Sequence, residues 1–174
     1  MRLSSTLAAF CLIAAIAGCA APTPPPPPPR PAPRPPAPPP PPPSPQPVDW
    51  RYVPLTPGDW RYQQDSGGSE AVFAAAGAGI FSVRCERSGR SIVLTRFAGG
   101  GSRLRLTTTY GTRALTGRAE GAGVAATVAA SDSLLDAIAF SRGRFTVESE
   151  SGAMLVLPSW PEPARVVEDC RGQG

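Results

Sequence analysis

Apolar and polar residues alternate along most of the chain beyond residue 48. Phe81, Val83 and Cys85 share one face while Ser82, Arg84 and Glu86 share the other. Leu104, Leu106 and Thr108 alternate with Arg103, Arg105 and Thr107, and Val124, Ala126 and Val128 repeat the period. Phe145 and Val147 alternate with Arg144, Thr146 and Glu148. A period of two marks strands with one buried face. Turn-forming clusters separate these runs: Ser66-Gly67-Gly68, Ala76 to Gly79, Arg87 to Arg90, Gly99-Gly100-Gly101, Gly121-Ala122-Gly123 and Ser151-Gly152. Short strands at roughly ten-residue spacing predict a mainly β domain, an antiparallel sandwich or small barrel.

One stretch breaks the rhythm. Leu134, Leu135, Ile138 and Ala139 have helical spacing, Ser131, Asp132 or Ser133 can cap its start, and Gly143 can end it in a left-handed conformation. The spacing predicts one short α-helix of about 9–11 residues, packed on one side against the sheet. A weaker helical turn is expected after Pro163, carrying Arg165 to Cys170.

Composition changes the picture before residue 48. The chain has 174 residues and 24 prolines, and 19 of the prolines lie between Pro22 and Pro47. Such a run cannot pack a core and predicts a disordered polyproline tether, reaching ~85 Å if fully extended. Ahead of it, Arg2 and the apolar stretch Leu3 to Ile16 fit an export signal. That stretch is short for a permanent span, which needs about 20 apolar residues. The expected division is therefore 1–18 signal peptide, 19–47 lipidated cysteine and proline-rich tether, and 48–174 globular domain. The last part is long enough for one core and too short for two.

The signal ends in Ile16-Ala17-Gly18-Cys19, which resembles the lipobox of bacterial lipoproteins. That resemblance implies acylation of Cys19, with Cys19 as the first mature residue; ordinary secretion with a free thiol is the alternative. Several acyl chains would hold the protein at a membrane. Ala20, rather than Asp, after the cysteine implies by the same resemblance the outer membrane, facing the periplasm.

Cysteine arithmetic follows. Cys11 leaves with the signal and Cys19 carries lipid, so Cys85 and Cys170 remain for an oxidising compartment and are expected to form one disulfide. Two thiolates make an incomplete zinc site, and the chain has no histidine. The absence of histidine also excludes Ser-His-Asp and Cys-His catalysis. No metal and no cofactor is expected.

Three features are candidates for chemistry. Asp49-Trp50-Arg51-Tyr52 recurs as Asp59-Trp60-Arg61-Tyr62. In an extended chain Trp50 projects with Tyr52, and Trp60 with Tyr62, so each pair could stack on sugar rings of peptidoglycan; packing into the core is the competing reading. Charge is segregated as well. Residues 84–118 hold eight arginines against Glu86 alone, whereas residues 119–174 hold eight acids and four arginines. Arg103 and Arg105 could meet an anionic envelope component, or the arginines could pair across strands with Glu148, Glu150, Glu168 or Asp169. Nucleic acid is not expected, since no recognition motif is present. The same carboxylates could serve a glycosidase, but spacing alone does not set two carboxylates opposite each other.

The segment from Leu134 to Phe145, with Leu157-Pro158 and Glu168-Asp169-Cys170-Arg171, resembles a family of small uncharacterised alphaproteobacterial envelope proteins. Its layout over about 40 residues is weakly similar to the invasion-associated locus B family, which implies an exported β-domain without catalytic residues. A small disulfide-bonded lipoprotein is also similar to lysozyme inhibitors of the C-type family, although their Ser-Gly-x-x-Tyr segment is not present. The expectation is a membrane-anchored envelope lipoprotein that is not an enzyme and acts as a structural or binding module. The alternatives are an inhibitor of a foreign hydrolase and, last, a cell-wall hydrolase.

Overall fold

A computed structural model describes residues 49–172, together with Pro25. The described fold belongs to one of two units of the chain, Pro45–Gly174. The expected signal, the lipid-bearing Cys19 and the proline-rich tether to residue 47 all lie outside the described residues.

Among the described residues, ten strands follow one another as β1 (Asp59–Gln64), β2 (Ser69–Ala75), β3 (Ala78–Glu86), β4 (Ser91–Arg96), β5 (Arg103–Thr108), β6 (Gly111–Thr116), β7 (Arg118–Glu120), β8 (Gly123–Ala129), β9 (Arg144–Ser149) and β10 (Leu155–Pro158). Helix α1 (Ser133–Ala139) stands between β8 and β9, and α2 (Pro161–Arg171) follows β10. The strands form two antiparallel sheets, one in the order β1-β2-β3-β4-β8-β7 and the other β10-β9-β5-β6. Neither closes on itself, so the architecture is an open two-sheet sandwich and not a barrel.

Alternation sets the inner faces. Phe81, Val83 and Cys85 of β3, Leu104 and Leu106 of β5, Val124 and Ala126 of β8, and Phe145 and Val147 of β9 are all buried in one core. Each large apolar side chain contributes about 1.5–3 kcal/mol by leaving water. Phe81 and Phe145 meet edge to face across the sheets, with centroids 6.3 Å apart. The turns fall where glycine predicts them: Ala76 and Gly77 both take positive φ, 50° and 82°, in the two-residue connection of β2 to β3. At Gly123 a Cβ would lie 1.9 Å from the Arg96 carbonyl oxygen, so that close approach of β8 to β4 requires glycine.

Both helical expectations need correction. Helix α1 has 7 residues, shorter than expected. Asp132 caps it through the Leu134 amide, and it ends at Phe140, before Gly143. The Ser141 hydroxyl then accepts from the Thr109 amide and donates to the Arg144 carbonyl, which turns the chain into β9. By contrast, the tail is a full α-helix of 11 residues and not a proline-punctuated segment with one helical turn. Pro161 and Pro163 sit in the first turn of α2, where their missing N–H groups have no intrahelical partner to lose. Val166, Val167 and Cys170 bury the inner side of α2 against β1 to β4. The disulfide Cys85–Cys170 joins α2 to β3, with Cα atoms 5.5 Å apart.

Arg96 is an inward-facing residue of the alternation Ile92, Leu94, Arg96, and it is only 4% exposed. Its guanidinium donates to the carbonyls of Ala98, Val147 and Ala153, at 2.8, 2.9 and 2.5 Å. It thereby ties β4 of one sheet to β9 of the other. Burial lowers its pKa from the usual arginine value, and the field of Glu148 opposes the shift.

Candidate functional site

The two copies of Asp-Trp-Arg-Tyr fold differently. In the first, the Asp49 carboxylate accepts from the Arg51 amide and caps a 3-10 turn, Trp50–Tyr52. A turn does not project Trp50 and Tyr52 to one side, so the expected aromatic pair is not formed there. Tyr52 is 84% exposed, and Trp50 is half-buried beneath the Arg51 guanidinium, 4.9 Å from its ring centroid.

The second copy is β1, and its aromatics do share a face. Trp60 is 5% exposed, stacks edge to face on Phe73 and Phe81, and donates its indole N–H to the Pro158 carbonyl at 2.9 Å. It is a core residue and cannot be a binding residue. The half-buried Tyr62 donates its hydroxyl to Asp169 and lies under Arg165, 4.2 Å from the ring centroid. Burial and the Asp169 carboxylate push the Tyr62 phenol up. Its polar end is occupied in docking α2, so it too leaves the set of binding candidates.

Arg103 and Arg105 are exposed on β5, beside a shallow cleft shared with Glu148 and Glu150. Arg105 stands opposite Glu148 in the register, and Glu150 accepts from the amide and hydroxyl of Ser102. This surface is of mixed sign and is not a basic patch. The expected pairing of arginines with Glu148, Glu150, Glu168 or Asp169 is also corrected, because among the described residues none of these acids lies within ion-pair distance of an arginine. Arg84 pairs with Asp65, Glu70 and Glu86 instead, and Arg113 pairs with Asp132.

Tertiary structure assembles a different cluster. The β5–β6 turn, the approach to β9 and the 3-10 turn enclose a cleft of about 350 Å3 lined by Trp50, Arg51, Thr109, Tyr110, Arg142 and Arg144. Local hydrogen bonds frame it. The Thr109 amide donates to the Ser141 hydroxyl and the Arg142 amide to the Thr109 hydroxyl, at 3.1 and 3.2 Å. Arg144 is anchored through one guanidinium nitrogen to the Val53 carbonyl at 2.7 Å. Gly143, at φ 76°, places Arg142 and Arg144 on either side of the bend.

Tyr110 also belongs to a second, larger groove of about 490 Å3 between β6 and α1, with Leu134, Ala137 and Phe140 in its wall. Tyr110 and Phe140 are each 68% exposed. Asp136 in this groove is bonded to Arg171, and the neighbouring Asp132 is bonded to Arg113 and to the Leu134 amide. Arg113, and then the Leu134 amide, hold the Asp132 carboxyl below the usual carboxylate range against the opposing effect of burial. Both carboxylates are therefore committed to arginines. Guanidinium planes beside aromatic faces suit an anionic group attached to a flat or apolar body.

Sequence reading missed Arg142, Arg144 and Tyr110. Arg142-Gly143-Arg144 reads as a helix stop and Tyr110 as a turn residue, and no spacing relates either to Trp50. Among the described residues no three metal-ligating side chains converge, and no helix is long and apolar enough to cross a membrane. Comparisons with protein-family models, with curated proteins and with solved structures give no match to this chain.

Proposed function

We propose that the chain is a lipid-anchored envelope protein whose β-domain is a non-catalytic module that binds an anionic envelope component. The observation that carries this reading is the cleft of Arg51, Arg142 and Arg144 with Trp50 and Tyr110, whose lining contains no carboxylate. Arg51 keeps Asp49 as a partner and Arg144 keeps the Val53 carbonyl, while the exposed Arg142 side chain makes no hydrogen bond among the described residues. Charge-assisted bonds to such a group are worth about 1.5–3 kcal/mol each. The anchor and the outer-membrane location rest on the lipobox resemblance at Cys19.

Co-sedimentation of the full chain with purified peptidoglycan and with lipopolysaccharide vesicles tests the reading. Arg142→Glu should weaken retention about tenfold on the polymer that binds, equal to about 1.4 kcal/mol, and higher salt should weaken the wild type. Arg103→Glu should have little effect, because Arg103 stands among acids. Equal retention of wild type and Arg142→Glu, or turnover of labelled wall fragments, would refute the proposal.

A further inference from the structure

Among the described residues, strand β6 is the outer strand of its sheet and is hydrogen-bonded to β5 alone. The Gly117 amide donates to the Ser102 carbonyl, and antiparallel bonding alternates along the pair. The amides of Gly111, Arg113 and Leu115 therefore turn toward β5, and those of Thr112, Ala114 and Thr116 turn outward. Natural edges are usually blunted by proline, by charge or by a covering segment. The opposite edge, β10, is covered: Thr56 donates its amide to the Val156 carbonyl and accepts from the Val156 amide, and the strand ends in Pro158. Among the described residues, strand β6 has none of these devices. It contains no proline, all of its residues but Leu115 are exposed, and its one charged side chain, Arg113, is folded back onto Asp132. Beside this open backbone runs the groove walled by Leu134, Ala137 and Phe140 of the α1 region.

Charge selects the occupant. Arg142 and Arg144 stand beyond the Gly111 end of β6, across Tyr110. At the other end the charge is balanced: Arg103 stands among Glu148 and Glu150, and Arg118 is paired with Glu120. The groove's own acids are held by Arg113 and Arg171. A strand carrying carboxylates meets complementary charge at the Gly111 end, in the cleft of Arg142 and Arg144.

We propose that β6 and the adjoining groove receive an extended acidic segment of a partner polypeptide, added to the sheet as its next strand. Alternate apolar side chains enter the groove over Leu134 and Phe140, and carboxylates reach Arg142 and Arg144 at the Gly111 end. The inference rests on the anionic-partner reading for its charges and goes beyond it in requiring the outward backbone groups of β6.

Fluorescence anisotropy of the full chain in detergent, with a labelled heptapeptide alternating valine and glutamate, tests it. Ala114→Pro removes one outward amide and leaves the bonds to β5 intact. Affinity should fall at least tenfold while the melting midpoint stays near that of the wild type. The same peptide N-methylated at alternate amides, prepared in both phases, should lose at least tenfold in one phase and little in the other. This arm decides the matter even if Ala114→Pro does not fold. No measurable binding, or equal binding of the valine–lysine counterpart, overturns the proposal. Parent-like binding of Ala114→Pro and of both methylated peptides also overturns it; loss with Arg142→Glu alone would then leave the anionic cleft standing. A concentration-dependent dimer abolished by Ala114→Pro would assign the edge to a second copy and overturn the peptide reading.

Discussion

Arg96 shows how one residue can break the local pattern and still serve the fold. It occupies an inward position of β4 that the alternation reserves for an apolar side chain, and it is buried. A buried charge is costly unless its donors are satisfied, and three carbonyls from β9 and two loops satisfy them. Removing the guanidinium strands those acceptors in the interior. Arg96→Met, which keeps most of the volume, should therefore lower the unfolding free energy by about 3 kcal/mol or more, measured by urea denaturation. A loss below about 0.5 kcal/mol, the usual surface value, would mean that water replaces the guanidinium at no cost. Trp60 follows the same logic with a neutral group, since its indole N–H has a partner at the end of β10 and its ring fills the core.

At the scale of elements, α2 changes what the disulfide does. The helix buries Val166, Val167 and Cys170 against the larger sheet, and Tyr62 and Asp169 add a polar tie from β1. The cystine therefore fastens an element that already has packing and internal hydrogen bonds of its own. In the chain-entropy account, closing a loop with a sequence separation of 85 is worth up to ~4.5 kcal/mol, chiefly through the unfolded state. Reduction should lower the melting midpoint markedly and leave the folded-state helical content near its oxidised value at 25 °C. Circular dichroism before and after reduction, with thiol labelling under denaturing, non-reducing conditions, checks both statements. Loss of helix on reduction would show that packing alone does not hold α2, and labelling of both Cys85 and Cys170 before reduction would refute the bond.

At the scale of the molecule, the fold redistributes the charge that the sequence segregates. The arginine-rich middle of the sequence, residues 84–118, is not one surface. Arg84 is taken by Glu86 of its own strand and Asp65 of the β1–β2 connection, Arg96 is inside, and Arg113 clamps the start of α1. The cleft with no carboxylate in its lining instead combines Arg51 with Arg142 and Arg144 from the acidic end of the sequence. Under the proposed anchoring, this cleft is presented from a membrane by a proline-rich spacer. Cys19→Ser should then release the protein from the membrane fraction and abolish acyl labelling, with binding by the purified protein unchanged. A Cys19→Ser protein that remains labelled and membrane-bound would refute the anchor.

The sequence alone determined the mainly β class, most turn positions and the inner faces of β3, β5, β8 and β9, because a period of two and glycine conformations act over a few residues. It also pointed to the Cys85–Cys170 pairing, once the signal reading set Cys11 aside and the lipobox resemblance set Cys19 aside. Only tertiary structure decided that the sheets stay open and that α2 is a complete helix, since proline in a first turn is read locally as a breaker. Only tertiary structure separated the two Asp-Trp-Arg-Tyr copies, one into a turn and one into β1, because burial depends on what packs against each. The Arg142–Tyr110–Trp50 cleft was illegible for the same physical reason. Its residues come from three distant segments, and no local periodicity carries information about which turns meet at one end of a sheet.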